Sequence, residues 1–143
     1  MAQSDILCLG ELLIDFVSLD PDTPISDSSG FRKAPGGAPA NVAVGVCRLG
    51  LRGGFIGKVG GDSFGVFLRQ TLEAEGVDTA MLVSDPDART TLAFLGQRSD
   101  GSRDIMFYRN PGADMLLRPD EIVPAGFTGA TFVHFGSIRL GCD

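Results

Sequence analysis

The feature that most constrains this chain is an alternation of short apolar runs with longer segments of helical periodicity. The runs at 6–9, 54–60 and 131–135 have the length and largely apolar character of strands buried on both faces of a parallel sheet. Between them, the segments 40–49 and 64–72 place apolar side chains at helical spacing, and a glycine terminates each segment. Strands that alternate with helices in this way form βαβ units, so the sequence predicts an α/β fold.

One segment interrupts the alternation. Residues 90–95 and 104–108 are β-prone, and the dipeptide Asp100-Gly101 between them is a strong hairpin signal. An antiparallel hairpin within a βα pattern predicts a small appendage on the main sheet.

Glycine accounts for 20 of the 143 residues, and it occurs in three adjacent pairs. Clustered glycine marks backbone that takes a positive φ or is closely approached by another group. The pair Gly36-Gly37 runs into the predicted helix, whose start carries Asn41. Free N–H groups and an amide at a helix start suit a polyol or an anion, and the alternative is a tight turn with Asn41 near an N-cap.

Asp15 is a second candidate, because it stands between Ile14 and Phe16 in an apolar run. A buried carboxylate is costly unless a partner such as a polar ligand binds it, whereas strand alternation offers the alternative that Asp15 faces solvent. Glu11 follows the break at Gly10, and for this residue we favour the solvent-facing alternative more strongly.

Charge and cysteine content exclude several classes. The formal net charge is −6, and residues 1–30 contain no Lys or Arg. An acidic chain without a basic stripe is a poor candidate for binding nucleic acid or an anionic membrane. The single His, the absence of a C-x-x-C pair among Cys8, Cys47 and Cys142, and the lack of a long apolar stretch predict a cytoplasmic protein with neither a metal site nor a membrane span.

A serine hydrolase is an alternative that the residues themselves suggest. The segment 61–65 matches G-x-S-x-G around Ser63, between a predicted strand and a predicted helix, as a nucleophile elbow requires. Asp114 or Asp120 and then His134 complete the order of a triad. His134, however, lies in an apolar run and no His-Gly-Gly segment precedes Ser63, so a capping role for Ser63 is favoured.

Four blocks of sequence together resemble the PfkB, or ribokinase-like, carbohydrate kinases. They are GELLIDF at 10–16, APGGAPANVA at 34–43, GKVGGDSFG at 57–65 and FYRNPGADMLL at 107–117. The blocks occur in the family's order, and the last one resembles fructokinases in particular. The resemblance covers nearly the whole chain.

The resemblance implies a Rossmann-like, ribokinase-type α/β sandwich with a small antiparallel β lid, formed by segments of about 12–35 and 88–110. In such kinases the lid closes over the sugar, and in many members it contributes to a homodimer interface. The family transfers the γ-phosphoryl group of ATP, bound with Mg²⁺, to a sugar hydroxyl, and conversion of D-fructose to fructose 6-phosphate is the leading reaction. The residues that match sugar-binding positions of the family are Asp15, Gly36, Gly37, Asn41 and Arg109.

The chain also departs from the family's pattern. Members of the family are considerably longer, and their catalytic base is the Asp of a Gly-Ala-Gly-Asp motif that this sequence lacks; the segment 112–114 resembles the motif only superficially. The sequence also lacks a Walker A loop and a G-x-G-x-x-G motif. The resemblance therefore implies that the family's catalytic base and its nucleotide-binding half correspond to positions beyond Asp143.

These departures set the expectation for the chain as a whole. We expect residues 1–143 to form the N-terminal part of a kinase domain, truncated before its C-terminal nucleotide-binding half. We expect that part to lack a catalytic residue, to bind ATP and Mg²⁺ poorly and to be inactive alone. The alternative is a non-catalytic short form that binds sugar or dimerises.

Overall fold

A computed structural model of the chain describes residues 4–136, which form two four-stranded sheets and two α-helices. Neither helix in this range is long and apolar enough to cross a membrane. In chain order the elements are β1 (Ile6–Leu9), β2 (Leu13–Ser18), β3 (Phe31–Gly36), α1 (Ala38–Arg48), β4 (Gly53–Gly60), α2 (Ser63–Ala74), β5 (Asp78–Asp85), β6 (Leu92–Gln97), β7 (Arg103–Tyr108) and β8 (Phe132–Phe135).

The first sheet has the strand order β5-β4-β1-β8, and all of its strand pairs are parallel. On one face the two helices pack on the sheet through a core that includes Phe55, Val59 and Leu68. On the other face, Leu7 and Ile56 pack against a stretch of short 3-10 turns between β7 and β8. The predicted α/β fold with a parallel sheet is confirmed.

The second sheet has the order β3-β2-β6-β7 and is built from strands within the segments predicted for the lid. The β2–β3 and β6–β7 pairs are antiparallel, and the predicted hairpin turns at Gly101, whose φ is +83°. The central β2–β6 pair is parallel, so the sheet is mixed rather than wholly antiparallel. This pairing brings together two segments that are distant in the chain, so no local turn signal in the sequence predicts it.

Three local expectations need correction. The run at 131–135 was expected to be a buried strand, but β8 is an edge strand among the described residues, with Phe132 66% and Phe135 62% exposed. α1 begins before the expected start, with Gly37 at its N-cap. α2 is capped by Asp62, whose side chain accepts a hydrogen bond from the Gly65 N–H, and not by Ser63.

The two described cysteines are free. Cys8 lies in β1, where burial and then the nearby Cys47 raise the pKa of its thiol to about 11. Cys142 lies outside the described residues.

Asp143, the residue beyond which the family's catalytic base is expected, also lies outside the described residues. The expectation that the sugar-binding part ends there, without the base and the nucleotide-binding half, therefore stays a prediction from the sequence.

The order of the first sheet marks one edge as a natural ligand site. β4 and β5 lie on one side of β1, and the chain then returns to place β8 on the other side. Where the direction of strand addition reverses in a doubly wound sheet, a crevice opens beyond the carboxyl ends of the strands, and ligands bind there. In this chain the corresponding position lies beyond the ends of β1 and β8, next to the start of α1.

Candidate functional site

The glycine pair between β3 and α1 is shaped by two acidic residues. A Cβ at Gly36 would lie within 2.9 Å of the Asp15 Oδ1 atom and closer still to Oδ2. Gly37 has a φ of +114°, and a Cβ there would overlap the backbone carbonyl oxygen of Glu11. Both positions therefore require glycine, since Asp15 and Glu11 occupy the space that a side chain would need.

Asp15 lies in β2 between Ala34 of β3 and Ala93 of β6, whose small side chains leave room above its carboxylate. The residue is half-buried, and among the described residues no hydrogen bond to its carboxylate is found. Burial raises the pKa of Asp15 above its ordinary value, and the positive charge of Arg103 offsets only part of that rise. The half-buried position replaces the solvent-facing alternative.

Asn41 is the fourth residue of α1, and its N–H donates to the Gly37 carbonyl oxygen at 3.0 Å. Asn41 therefore lies inside the helix and is not the capping residue. Its side chain is exposed and makes no capping hydrogen bond. Asn41 and Gly36 line the same cavity of about 290 Å³, together with Leu12. This volume is close to the lower end of the range for small-molecule sites, about 300–1,000 Å³. Gly36 lines this cavity and also adjoins the Asp15 carboxylate, but Asp15 itself does not line the cavity, which extends between the helices to Arg48 and Glu75.

The structure places Arg109 in a buried ion pair. Its guanidinium, only 9% exposed, pairs with the fully buried carboxylate of Asp114, to which the Thr91 hydroxyl also donates a hydrogen bond. No hydrogen bond or ion pair joins Arg109 to the other four predicted site residues in the described structure. A link through the backbone does exist, because the Thr91 carbonyl oxygen accepts from the Ile14 N–H at 3.0 Å, next to Asp15.

Sequence reasoning missed the roles of Thr91 and Asp114 in this cluster. Thr91 reads as an ordinary strand residue, and Asp114 lies in the block 107–117 with nothing local to show that it is buried. The one available signal was Gly112, where a Cβ would overlap the Thr91 hydroxyl oxygen and lie 2.8 Å from Asp114 Oδ1. A glycine two residues before an acidic residue indicates such crowding only once the fold is known.

Glu11 was expected to face solvent, and this expectation is wrong. The residue is only 3% exposed, and its Oε2 atom has no hydrogen-bond partner in residues 4–136. The sequence signal is the apolar pair Leu12-Leu13 that follows Glu11 and buries the segment, although Gly10 interrupts the apolar run before it.

The geometry argues against the serine hydrolase. His134 lies on β8, level with Cys8 and Phe55, whereas Ser63 follows the far end of β4. Since β1 separates β4 from β8, and neighbouring strands lie about 4.8 Å apart, the strand of His134 is about 10 Å from that of Phe55 even before the offset along the strands is counted. Asp114 is held by Arg109 and Thr91, so the triad is not assembled.

Asp62 instead explains the motif around Ser63. Its carboxylate accepts hydrogen bonds from the Gly65 N–H at 2.9 Å, from the Thr90 N–H at 2.8 Å and from the Thr90 hydroxyl at 2.7 Å. Burial opposes its ionisation, but these hydrogen bonds outweigh burial and lower the pKa of Asp62. The loop therefore joins α2 to the start of the second sheet.

A site for Mg²⁺ and ATP would need ligands for the metal ion and a loop for the phosphates. Residues 4–136 hold no group of three or more His, Cys, Asp or Glu side chains arranged to bind a metal ion. The glycine-rich turns contain no Walker A loop. No chemical step is therefore assigned to a magnesium–nucleotide complex on the described residues.

A doubly wound parallel sheet, a second four-stranded sheet beside it, and a carboxylate against a glycine pair at the start of a helix together define the ribokinase-like class of α/β proteins that the sequence resembles. Residues 3–142 match the pfkB family carbohydrate kinase. The chain belongs to this family.

Relatives of known name agree with this assignment. The chain is 53% identical over 135 residues to "Probable fructokinase-2" of Arabidopsis thaliana, covering 94% of this chain and 41% of that protein. It is 50% identical to "Fructokinase" of Solanum tuberosum over 94% of this chain and 42% of the relative. The chain thus spans about two-fifths of the length of the curated relatives it matches.

Solved structures show the same architecture. The crystal structure of fructokinase from Xylella fastidiosa matches with a TM-score of 0.82 and 40% identity, over 94% of this chain and 41% of that one. An uncharacterized sugar kinase from Pyrococcus horikoshii, crystallised in complex with ATP, matches with a TM-score of 0.84 and 39% identity, over 91% of this chain and 42% of that one. The predicted ribokinase-type fold is confirmed.

Proposed function

We propose that this chain supplies the sugar-binding part of a fructokinase-like kinase, which phosphorylates D-fructose to fructose 6-phosphate with ATP and Mg²⁺. The observation that carries the proposal is the half-buried Asp15 carboxylate, which accepts no hydrogen bond among the described residues and adjoins Gly36, a residue that lines a cavity together with Asn41. A carboxylate accepts hydrogen bonds from hydroxyls, and an amide both donates and accepts them. The lid segments 12–35 and 88–110 would close over the sugar.

Arg109 enters this proposal with a modified role. Because Asp114 already neutralises its guanidinium, Arg109 serves as a hydrogen-bond donor to a neutral sugar rather than as a partner for an anion. Its Nε atom is buried and has no hydrogen-bond partner among the residues that the structure describes. The cavity of about 510 Å³ that it lines with Phe107 and Asn110 gives a ligand access to this part of the second sheet.

We further propose that the chain alone does not phosphorylate sugar. Catalysis of phosphoryl transfer rests on positioning and on electrostatic stabilisation, and it needs a group to orient or deprotonate the attacking hydroxyl. Asp114, the residue that superficially matches the family base, is buried in an ion pair with Arg109 and accepts from Thr91, so it is unsuited to take a proton from a sugar.

Calorimetric titration with D-fructose tests the sugar site, and a coupled assay with ATP and Mg²⁺ tests activity. We expect D-fructose to bind and no sugar phosphate to form. Asn41→Ala should weaken D-fructose binding several-fold through the loss of an amide hydrogen bond. Gln70→Ala, an exposed amide on α2, is the matched control and should bind like the wild type. A stable chain that binds no sugar would refute the sugar site, and turnover by the purified chain would refute the proposed inactivity.

A second candidate, a dimerising short form, is favoured by β7. This edge strand exposes four consecutive large apolar side chains, Ile105, Met106, Phe107 and Tyr108. We propose that the second sheet pairs with that of another copy. Light scattering after gel filtration would then give twice the mass of one chain, and Ile105→Lys together with Phe107→Lys would return the mass to that of one chain. A wild-type chain that stays monomeric at high concentration would refute this candidate.

A further inference from the structure

Glu11 is a buried acidic residue in the segment that connects β1 to β2. Its side chain is 3% exposed, and its Oε2 atom accepts no hydrogen bond in residues 4–136. Burying a carboxylate without hydrogen bonds or a counter-charge is strongly unfavourable. A group of this kind in a folded protein calls for an explanation outside simple packing.

The place of Glu11 suggests that explanation. Gly10, which precedes it, packs so tightly that a Cβ would lie 2.5 Å from Pro39 of α1 and 3.0 Å from the carbonyl oxygen of Gly136, just after β8. The end of β1, the end of β8 and the start of α1 therefore meet at Gly10 and Glu11. This is the point where the strand order reverses, and it is where doubly wound sheets bind their ligands.

Glu11 also shares a structural neighbour with the proposed sugar site. Its backbone carbonyl oxygen occupies the space beside Gly37, while the Asp15 carboxylate occupies the space beside Gly36. The two acidic residues therefore flank the same dipeptide. The Asp15 carboxylate and the Glu11 Oε2 atom accept no hydrogen bond among the described residues, and such acceptors match a ligand that carries several neutral hydroxyl donors.

We propose that Glu11 is a second substrate-binding carboxylate, which accepts a hydrogen bond from a hydroxyl of the polyhydroxylated ligand that Asp15 binds, and so determines which hydroxyl pattern the site accepts. This inference rests on the proposed sugar site and adds a residue to it. A cation is a poorer occupant, because no third acidic, His or Cys side chain joins these two among residues 4–136.

The test compares D-fructose binding by the wild type, by Glu11→Gln and by Glu73→Gln, a matched change at an exposed position of α2. Each variant is also melted without sugar. We expect Glu11→Gln to weaken D-fructose binding about 10- to 100-fold, as removal of a charged hydrogen-bond acceptor does. Its melting temperature should not fall, because the Oε2 atom that the substitution replaces makes no hydrogen bond within residues 4–136. Glu73→Gln should bind as the wild type does.

Titration with monodeoxy analogues of D-fructose then identifies the hydroxyl. The analogue that lacks the group bound by Glu11 should bind the wild type and Glu11→Gln with equal affinity, and the other analogues should retain the difference. The inference is overturned if Glu11→Gln binds D-fructose as tightly as the wild type does. It is also overturned if the variant melts at a lower temperature or does not fold, since the carboxylate would then be structural. A folded wild type that binds no D-fructose, by contrast, defeats the proposed sugar site itself and this inference with it.

Discussion

Two regions of the first sheet treat buried charge in opposite ways. On β4, Lys58 is 1% exposed and its Nζ atom contacts Glu121 at 2.7 Å, the Leu116 carbonyl oxygen at 3.0 Å and Asp85 at 3.2 Å. After β1, Glu11 is 3% exposed and its Oε2 atom has no partner among the described residues. Three oxygen atoms thus surround the Lys58 ammonium group, whereas the described residues give the Glu11 Oε2 atom no hydrogen bond.

The difference separates a structural charge from one that we assign to a ligand. Lys58 joins β4, the end of β5 and the 3-10 turns, and its hydrogen bond is the main cause of the lowered pKa of Glu121. Around Asp15, burial acts in the other direction and raises the pKa. Local rules of hydrogen-bond satisfaction are broken mainly at functional sites, and this is why we assign Glu11 and Asp15 to a ligand.

The largest effect is expected at the satisfied charge. Lys58→Met should lower the free energy of unfolding by about 3 kcal/mol, because it leaves the Asp85 and Glu121 carboxylates without their shared cation. Urea denaturation measures the change. Lys33→Met is the control, since Lys33 is exposed and lies 3.7 Å from the centroid of the Phe67 ring, a contact of about 0.5–1 kcal/mol. If the two variants lose the same free energy of unfolding, the contacts of Lys58 with Asp85 and Glu121 do not stabilise the fold.

A smaller loss is expected at the glycine beside the unsatisfied charge. Gly37→Ala forces a side chain into the left-handed region, at a φ of +114°, and against the Glu11 carbonyl oxygen. We expect the free energy of unfolding to fall by about 2 kcal/mol. Gly50→Ala shares the positive φ, +87°, but has open space around the added methyl group, and it should lose only about 1 kcal/mol. If both variants lose the same free energy of unfolding, the contact of the added methyl group with the Glu11 carbonyl oxygen does not contribute to the loss at Gly37.

The same contrast shows how far the sequence alone could lead. The parallel sheet, both helices and the hairpin follow from periodicity and turn signals such as Asp100-Gly101, and Asp15, Gly36, Gly37 and Asn41 follow from the resemblance. The burial of Glu11 and the Arg109–Asp114 pair depend on where distant strands meet, which no local pattern encodes. The exposure of Phe132 and Phe135 was missed because an apolar run has the same appearance whether or not another element covers it.

Asp15→Asn is expected to change ligand binding and to spare the fold. The amide keeps the shape of the side chain but loses a charged acceptor, so D-fructose binding should weaken about tenfold or more. The melting temperature should stay the same or rise, because the substitution relieves the desolvation that raises the pKa of Asp15. Asp87→Asn, at an exposed site after β5, is the matched control. A fall in melting temperature without a change in affinity would make Asp15 structural.

The smallest effect, and the one that separates binding from stability most directly, is the dependence on pH. The pKa of Asp15 is raised in the folded protein, so protonation of Asp15 stabilises the folded state. This stabilisation is complete below the pKa that Asp15 has in the unfolded chain, about 3.9, and it is lost as the pH rises through the folded pKa. Sugar binding needs the ionised form and should change in the opposite direction, weakening as the pH falls through the same raised pKa. Titrations and melts of the wild type and Asp15→Asn across this range should show both trends in the wild type alone. Identical profiles for the two proteins would mean that Asp15 does not govern either property.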